Sequence, residues 1–328
     1  MLKPIVVVGS INIDLVAITR HIPRAGETVA GLTFQTFPGG KGANQAVAAA
    51  RLGASVRMIG NIGSDSFGAE LRKDLENARV DVSAVSQVPM ASGVALITTD
   101  AKGENAITVV SGANRALTPA DVETNISLIR SAGVLLTQLE IPLETVECLA
   151  MIARREGIPL ILDPAPAQLL PPSLLQNVDW LTPNETETCF LLGRGCHQIS
   201  DTELEHLADS VLQLGSRNVI LKLGGRGSYL AMSDGSRELI PAYEVNAVDT
   251  TAAGDAFNGA FAIGLVEGKS AVASARYASA IAAISVTRWG AQPSMPTRDE
   301  VEHFLREKLT SDTMKPEASH PKEANAEA

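Results

Sequence analysis

The chain is predicted to be an α/β protein, a doubly wound, mainly parallel sheet flanked by helices, with a small β-sheet lid. Three observations predict it. The β-branched run Ile5-Val-Val-Val8 ends on Gly9, the pattern of a strand buried on both faces. Apolar runs recur at 55–59, 134–139, 159–162, 180–182 and 219–223, mostly separated by helix-like segments, which is the alternation of a doubly wound sheet. Residues 15–37 and 93–112 break that rhythm with strand-like alternation and no helical pattern, so they form a separate β element.

Residues 4–13 read as the first, central strand. Asn12 and Asp14 stand near its end, two residues apart, and project to one side. Polar groups ending a buried strand at the carboxyl edge of an α/β sheet are placed where ligands bind, although Asp14 also suits an ordinary loop. Gly39-Gly40-Lys41-Gly42-Ala43-Asn44 precedes an Ala-rich helix that ends near Leu52. It lacks the spacing GxxxxGK[ST] of a P-loop. Its glycines let a polar ligand reach the backbone, and Asn44 can bind hydroxyls; a plain loop-to-helix transition is the alternative.

Residues 94–99 and 106–110 flank Lys102-Gly103, a hairpin signal. Asn184-Glu-Thr-Glu187 follows a strand and opens an apolar-periodic run, so Asn184 can cap the helix while Glu187 reaches back. The most informative segment is Asp249-Thr-Thr-Ala-Ala-Gly-Asp-Ala-Phe-Asn-Gly259. Small side chains let an anion approach the backbone, and the N–H groups of Ala252, Ala253, Gly254 and Asp255 would converge on it at a helix start. Asp255 beside that anion hole could accept a proton from an attacking hydroxyl; as a bare helix-start carboxylate it would only favour the macrodipole. Nearly uncharged runs after Asp255 and over 271–286 read as buried helices. Residues 310–328 turn to Ser, Pro, Lys, Glu and Ala, a composition that predicts a disordered tail after one domain spanning 1–309.

Of the 328 residues, 45% are hydrophobic and 20% charged, enough apolar surface for a sizeable core. The net charge of -10 disfavours nucleic acid or an anionic membrane as partner, since either needs clustered Lys and Arg. Cys148, Cys189 and Cys196 show no Cys-x-x-Cys spacing and leave one over, as expected of reduced thiols in a cytoplasm. The N-terminal apolar run is too short for a signal peptide or a membrane span. His21, His197, His206, His303 and His320 lack zinc-ligand spacing. Gly9-Ser-Ile-Asn does not supply the GxGxxG of a nicotinamide enzyme.

The order of these segments resembles the ribokinase-like (PfkB) carbohydrate kinases: an early Gly-Gly-Lys-Gly-Ala-Asn, a middle Thr-Pro-Asn-Glu-x-Glu and a late Asp-Thr-x-x-Ala-Gly-Asp. Within the family it is most similar to the ribose-phosphorylating members, on Gly9–Asp14, the segment 38–49, Gln138-Leu-Glu140, Asp163-Pro-Ala-Pro-Ala167 and Thr287-Arg-Trp-Gly-Ala-Gln-Pro-Ser294. The resemblance implies ATP-dependent phosphorylation of D-ribose at its 5-hydroxyl, with Asp255 as base beside the anion hole. It assigns Asn12, Asp14, Gly39, Gly40, Lys41, Gly42, Asn44 and Glu140 to the sugar. It assigns Asn184, Glu187, Lys222, Leu223, Gly224, Gly225, Arg226, Gly227, Gly254, Asp255 and Ser279 to the nucleotide, with Asn246 and Val248 helping to enclose adenosine.

Glu187 is implied to act on Mg2+ through water. Asp249, Thr251, Ser285, Arg288, Gly290 and Ser294 are implied to hold K+, the middle three through backbone carbonyls. Three residues depart from the pattern. Lys222 stands where a small hydroxyl residue is frequent, Ser279 where Asn or His is frequent, and Ala252 replaces a common glycine. A homodimer through the lid strands is expected, because residues 15–37 and 93–110 carry more apolar residues than a solvated sheet needs. Deoxyribose, fructose or a nucleoside is the alternative acceptor, and a noncatalytic sugar sensor is the alternative of another class.

Overall fold

In the computed structural model, which describes residues 2–100, 104–195 and 199–313, the first apolar run becomes β1 (Ile5–Val8) with every residue buried. The chain then leaves the main sheet. The next strands are β2 (Asn12–Ile18), β3 (Thr33–Gly39), β4 (Val56–Gly63), β5 (Val80–Val88), β6 (Gly93–Thr99) and β7 (Asn105–Val110). After them come β8 (Val134–Thr137), β9 (Leu160–Leu162), β10 (Trp180–Leu181), β11 (Asn218–Lys222), β12 (Ser228–Met232) and β13 (Arg237–Ile240).

Nine strands form one sheet in the order β13-β12-β11-β10-β9-β8-β1-β4-β5, and four form a second in the order β3-β2-β6-β7. From β11 to β5 the large sheet is parallel, with Ile5 opposite both Val56 and Val134. Only β12 and β13 run antiparallel, as an edge hairpin. The period of two along β1 divides its side chains: Ile5 and Val7 join the apolar core on one face, Val6 and Val8 that on the other.

The expected first strand over 4–13 is therefore two strands in two sheets. Asn12 and Asp14 do not end β1; they begin β2, one of the two inner strands of the small sheet. The break falls at Gly9, where an added Cβ would lie 2.9 Å from the Cα of Gly42, so the two backbones cross too closely for a continuous strand with side chains. Neither edge strand, β5 or β13, is a continuous apolar run, so neither was legible in the sequence; β12, between β11 and β13, carries Tyr229-Leu-Ala-Met232 but was not singled out. The turn expected at Lys102-Gly103 lies outside the described residues. The last helix, Arg298–Thr313, runs past residue 309, and the tail expected beyond it lies outside the described residues.

The helix Lys41–Arg51 packs on the helix Ala253–Val266 at Gly259, where a Cβ would meet the carbonyl oxygen of Gln45 at 2.7 Å and the Cβ of Ala48 at 2.9 Å. That close approach brings the polar start of one helix against the polar start of the other.

Candidate active site

Four segments leaving the carboxyl ends of parallel strands converge on one side of the large sheet: Ser10 after β1, Gln138 and Glu140 after β8, Asp163 after β9, and Lys222 closing β11. Such an edge is where open α/β sheets bind ligands. The small sheet adds Asn12 and Asp14.

Asp255 lies in the first turn of the helix Ala253–Val266 and is 4% exposed. Its Oδ2 accepts a hydrogen bond from Asn44 Nδ2 and its Oδ1 one from Gln45 Nε2, both at 3.0 Å. Burial pushes its carboxyl up to about 6; Lys41 opposes the rise, Asp163 adds to it, and the two amides moderate it. Lys41 is held above its ordinary value: burial acts to lower it, but Asp255, Asp163, Glu140 and Glu187 together outweigh that.

Glu140 Oε2 accepts from Ser10 Oγ at 2.5 Å, from the Lys41 backbone N–H at 3.0 Å and from Asn12 Nδ2 at 3.5 Å. Burial, then Glu140 and Asp255, raise Asp14 to about 7 against the pull of Lys41. Gly39 and Gly40 permit this crowding. A Cβ on Gly39 would run into the Asp14 carboxylate, and Gly40 holds φ +87° with the Asn12 nitrogen 2.6 Å from where a Cβ would be.

A second network lies behind the first. Gln45 Nε2 also donates to Asp163 Oδ2 at 3.1 Å, while Gln45 Oε1 accepts from Gln138 Nε2 at 2.7 Å. Asp163 Oδ1 pairs with Lys222 Nζ at 2.9 Å. One glutamine amide thus joins the two buried aspartates.

On the far side of the helix start lies a cavity of about 420 Å³, lined by Lys222, Gly224, Gly225, Gly227, Val245, Ala247, Ala253, Gly254, Phe257 and Ser279 among others. Leu223 and Arg226, grouped with these by sequence, are not part of its wall. Leu223 is buried in the apolar core, and Arg226 reaches away to Glu185 at 2.7 Å and Asp201 at 2.8 Å. Val245 and Ala247 line the cavity, whereas Asn246 and Val248, one position along, do not.

The helix start also departs from expectation. Ala252 is left-handed at φ +60°, and the Ala253 N–H is taken by the Thr250 carbonyl at 3.3 Å. The first-turn N–H groups of Gly254 and Asp255 have no carbonyl four residues back within the helix.

Asn184 and Glu187 form the expected capping box: Asn184 Oδ1 accepts from the Glu187 N–H at 2.8 Å, and Glu187 accepts from the Asn184 N–H at 2.7 Å. Burial raises Glu187 above the ordinary carboxyl range, with Lys222 opposing and Asp163 reinforcing. Asn184 pairs with Lys222 through an isolated parallel bridge, so cap and cavity share a backbone.

Asp249 ties two loops together, accepting from the Thr251 N–H at 2.9 Å, the Thr251 hydroxyl at 2.6 Å and the Gly290 N–H at 2.9 Å. Ser285 and Ser294 donate their hydroxyls to Ala282 and Ala291 carbonyls.

The pattern of the pfkB family of carbohydrate kinases matches residues 2–298. The chain belongs to the pfkB family. This pfkB chain is 43% identical to the ribokinase of Haemophilus influenzae over 93% of its length and 99% of the relative's. It is 37% identical to a deoxyribokinase of Salmonella typhi over 92% of its length and 98% of the relative's. It superposes with a TM-score of 0.87 on Arabidopsis thaliana ribokinase complexed with ribose and ATP, at 35% identity, over 93% of this chain and 99% of that one. The expected fold, an α/β sheet with a small separate sheet, is the one observed.

Ser10, Gln45, Gln138 and Asp163 of this pfkB chain were not singled out by sequence as site residues. A signal existed for two of them: Gln45 is a polar residue in an Ala-rich helix beside Asn44, and Asp163 ends an apolar run before proline.

Proposed function

We propose that this carbohydrate kinase transfers the γ-phosphoryl group of ATP to the 5-hydroxyl of D-ribose, giving D-ribose 5-phosphate and ADP. The observation that carries the reading is the position of Asp255. It is a buried carboxylate, held by two amides, at a helix start that separates a cluster of polar side chains from a cavity of about 420 Å³.

The cluster is the sugar site. Asp14 and Glu140 accept from sugar hydroxyls, Asn12 and Asn44 bind them, and Gly40, Lys41 and Gly42 supply the backbone edge. Asn44 Oδ1 is buried without a hydrogen-bond partner in the protein, an acceptor free for a hydroxyl. The cavity takes ATP, with Gly224, Gly225 and Gly227 letting the phosphates approach and Ser279 at the adenine end. Asp255 takes the proton of the 5-hydroxyl as its oxygen bonds to the γ-phosphorus. The bond from that phosphorus to the bridging oxygen breaks, and its electron pair leaves on ADP. The N–H groups of Gly254 and Asp255, at the positive end of the helix, balance the developing charge. Positioning and electrostatics supply most of such catalysis.

Glu187 suits Mg2+ held through water. An ion bound by phosphates, water and one or two carboxylates needs no dedicated cluster of protein ligands. When bound, Mg2+ neutralises phosphate charge. The oxygen-only set of Asp249, Thr251, Ser294 and the carbonyls of Ser285, Arg288 and Gly290 suits a hard cation, here K+, next to the loop that opens the Asp255 helix.

The small sheet closes over the sugar. Its exposed Phe34, Leu96 and Val110 project from the face opposite Asp14, an apolar surface that a second copy would cover, making a homodimer. No helix among the described residues is long and apolar enough to cross a membrane, and the enzyme is proposed to act in the cytoplasm.

An ADP-release assay over D-ribose, 2-deoxyribose, fructose and nucleosides tests the assignment. D-Ribose should give the highest kcat/KM, because a missing hydroxyl leaves buried polar partners unpaired; preference for another acceptor overturns it. Deoxyribose is the second reading, favoured by the likeness to a deoxyribokinase.

A further inference from the structure

We infer that Lys222 is a catalytic residue of this transfer, its ammonium bearing on the phosphate oxygens of ATP, and that Asp163 is the residue that positions it. The inference rests on the kinase reading of the site and adds a charge to it.

The backbone of Lys222 is fixed from both sides. On one side its N–H donates to the Pro183 carbonyl at 2.8 Å and it bridges Asn184; on the other it pairs with Ser228. The side chain is thereby launched along the cavity wall, which it lines beside Gly224, Gly225 and Gly254. Its Nζ lies 3.2 Å from where a Cβ on Gly254 would be, directly against the start of the Asp255 helix. A cation is electrostatically misplaced there, because the positive end of the macrodipole favours negative charge. Asp163, whose side chain is 3% exposed, offsets this at 2.9 Å, and the lysine side chain itself is only 14% exposed. A buried cation, a helix start and a glycine-lined cavity meeting at one point form a pocket for an anion, with the lysine held ready.

Asp163 has a second task. Through the shared Gln45 amide it is linked to Asp255, so the group that positions the phosphate-side charge also braces the base. During transfer the oxygen–phosphorus bond to the sugar forms, the bond to the bridging oxygen breaks, and the electron pair goes to ADP. Lys222, donating hydrogen bonds to the bridging and terminal oxygens, lowers the energy of that charge without giving up its proton.

Lys222→Met keeps most of the length of the side chain and removes the charge. Its kcat should fall by roughly 10²- to 10³-fold, the scale of losing one donor to a developing charge. In calorimetric titrations of the full chain, ATP should weaken by about 10-fold or more, AMP should bind as before, and the KM for D-ribose should hold. Lys222→Arg should recover part of kcat. If Lys222 serves only to neutralise Asp163, adding Lys222→Met to Asp163→Asn, where no buried carboxylate is left to neutralise, should leave kcat at the value of Asp163→Asn alone. That equality, or an unchanged preference for ATP over AMP in Lys222→Met, would overturn the inference; a double variant slower than Asp163→Asn alone upholds it. A wild-type protein that phosphorylates no sugar would defeat the kinase reading instead.

Discussion

Replacing Asp255 by asparagine separates proton transfer from everything else the carboxylate does. The wild-type side chain accepts one amide from Asn44 and one from Gln45, each at 3.0 Å. Asparagine can keep an oxygen toward Gln45 and turn its own amide toward Asn44, which can rotate to present Oδ1, an atom with no partner in the wild type. Both hydrogen bonds then survive. The charge does not, and its removal is not a loss to folding. A carboxyl moved from 3.8 up to about 6 favours the folded state below 3.8, and that contribution fades as pH rises through 6. Its loss is on the order of 3 kcal/mol at most. At pH 8 the variant should therefore melt no lower than the wild type.

Turnover should fall by roughly 10²- to 10⁴-fold, the range for a lost general base, with ATP affinity little changed. In the wild type, kcat/KM should rise with pH through about 6, a limb the variant lacks. ADP release and melting temperature measured on the same preparations decide the matter. Near-wild-type turnover, or a decline explained by a lower melting temperature, would refute the base assignment. A carboxylate that merely favours the helix start would cost about 0.3 to 1 kcal/mol of stability and leave turnover alone.

Four further outcomes are expected. Asp14 is raised from 3.8 to about 7, so its stabilising contribution, present at acid pH, is lost as pH rises through 7; Asp14→Asn should gain more melting temperature at pH 8 than at pH 5 while raising the KM for D-ribose. Gly42→Ala would put a Cβ 2.6 Å from the Ser10 nitrogen and 2.7 Å from the Gly9 carbonyl carbon, a backbone clash costing about 1 to 3 kcal/mol by chemical denaturation and most of the activity. Turnover at fixed ionic strength should be higher in K+ than in Na+, and equal rates in K+, Na+ and a large organic cation would remove the proposed cation site. Light scattering at micromolar concentration should give a dimer, and Phe34→Asp with Leu96→Asp, which project from one face of the small sheet, should give a monomer.

What the sequence determined by itself was local in origin. Short, β-branched apolar runs suit a strand buried on both faces of a sheet, so most of the parallel strands were legible, as were the capping box at Asn184 and the glycine-rich starts of the two central helices. The tertiary structure decided what depends on groups far apart in the chain. Asn12 and Asp14 belong to the small sheet because the backbone crosses Gly42 at Gly9, an event no window of sequence contains. Arg226 leaves the cavity because Glu185 and Asp201 offer it two carboxylates. Asp163, 118 residues from Gln45, joins Asp255 through a shared amide because two strands and two helices end at one place. Short-range patterns encode which segments form strands and helices; the pairing of buried charges depends on where folding brings their ends together.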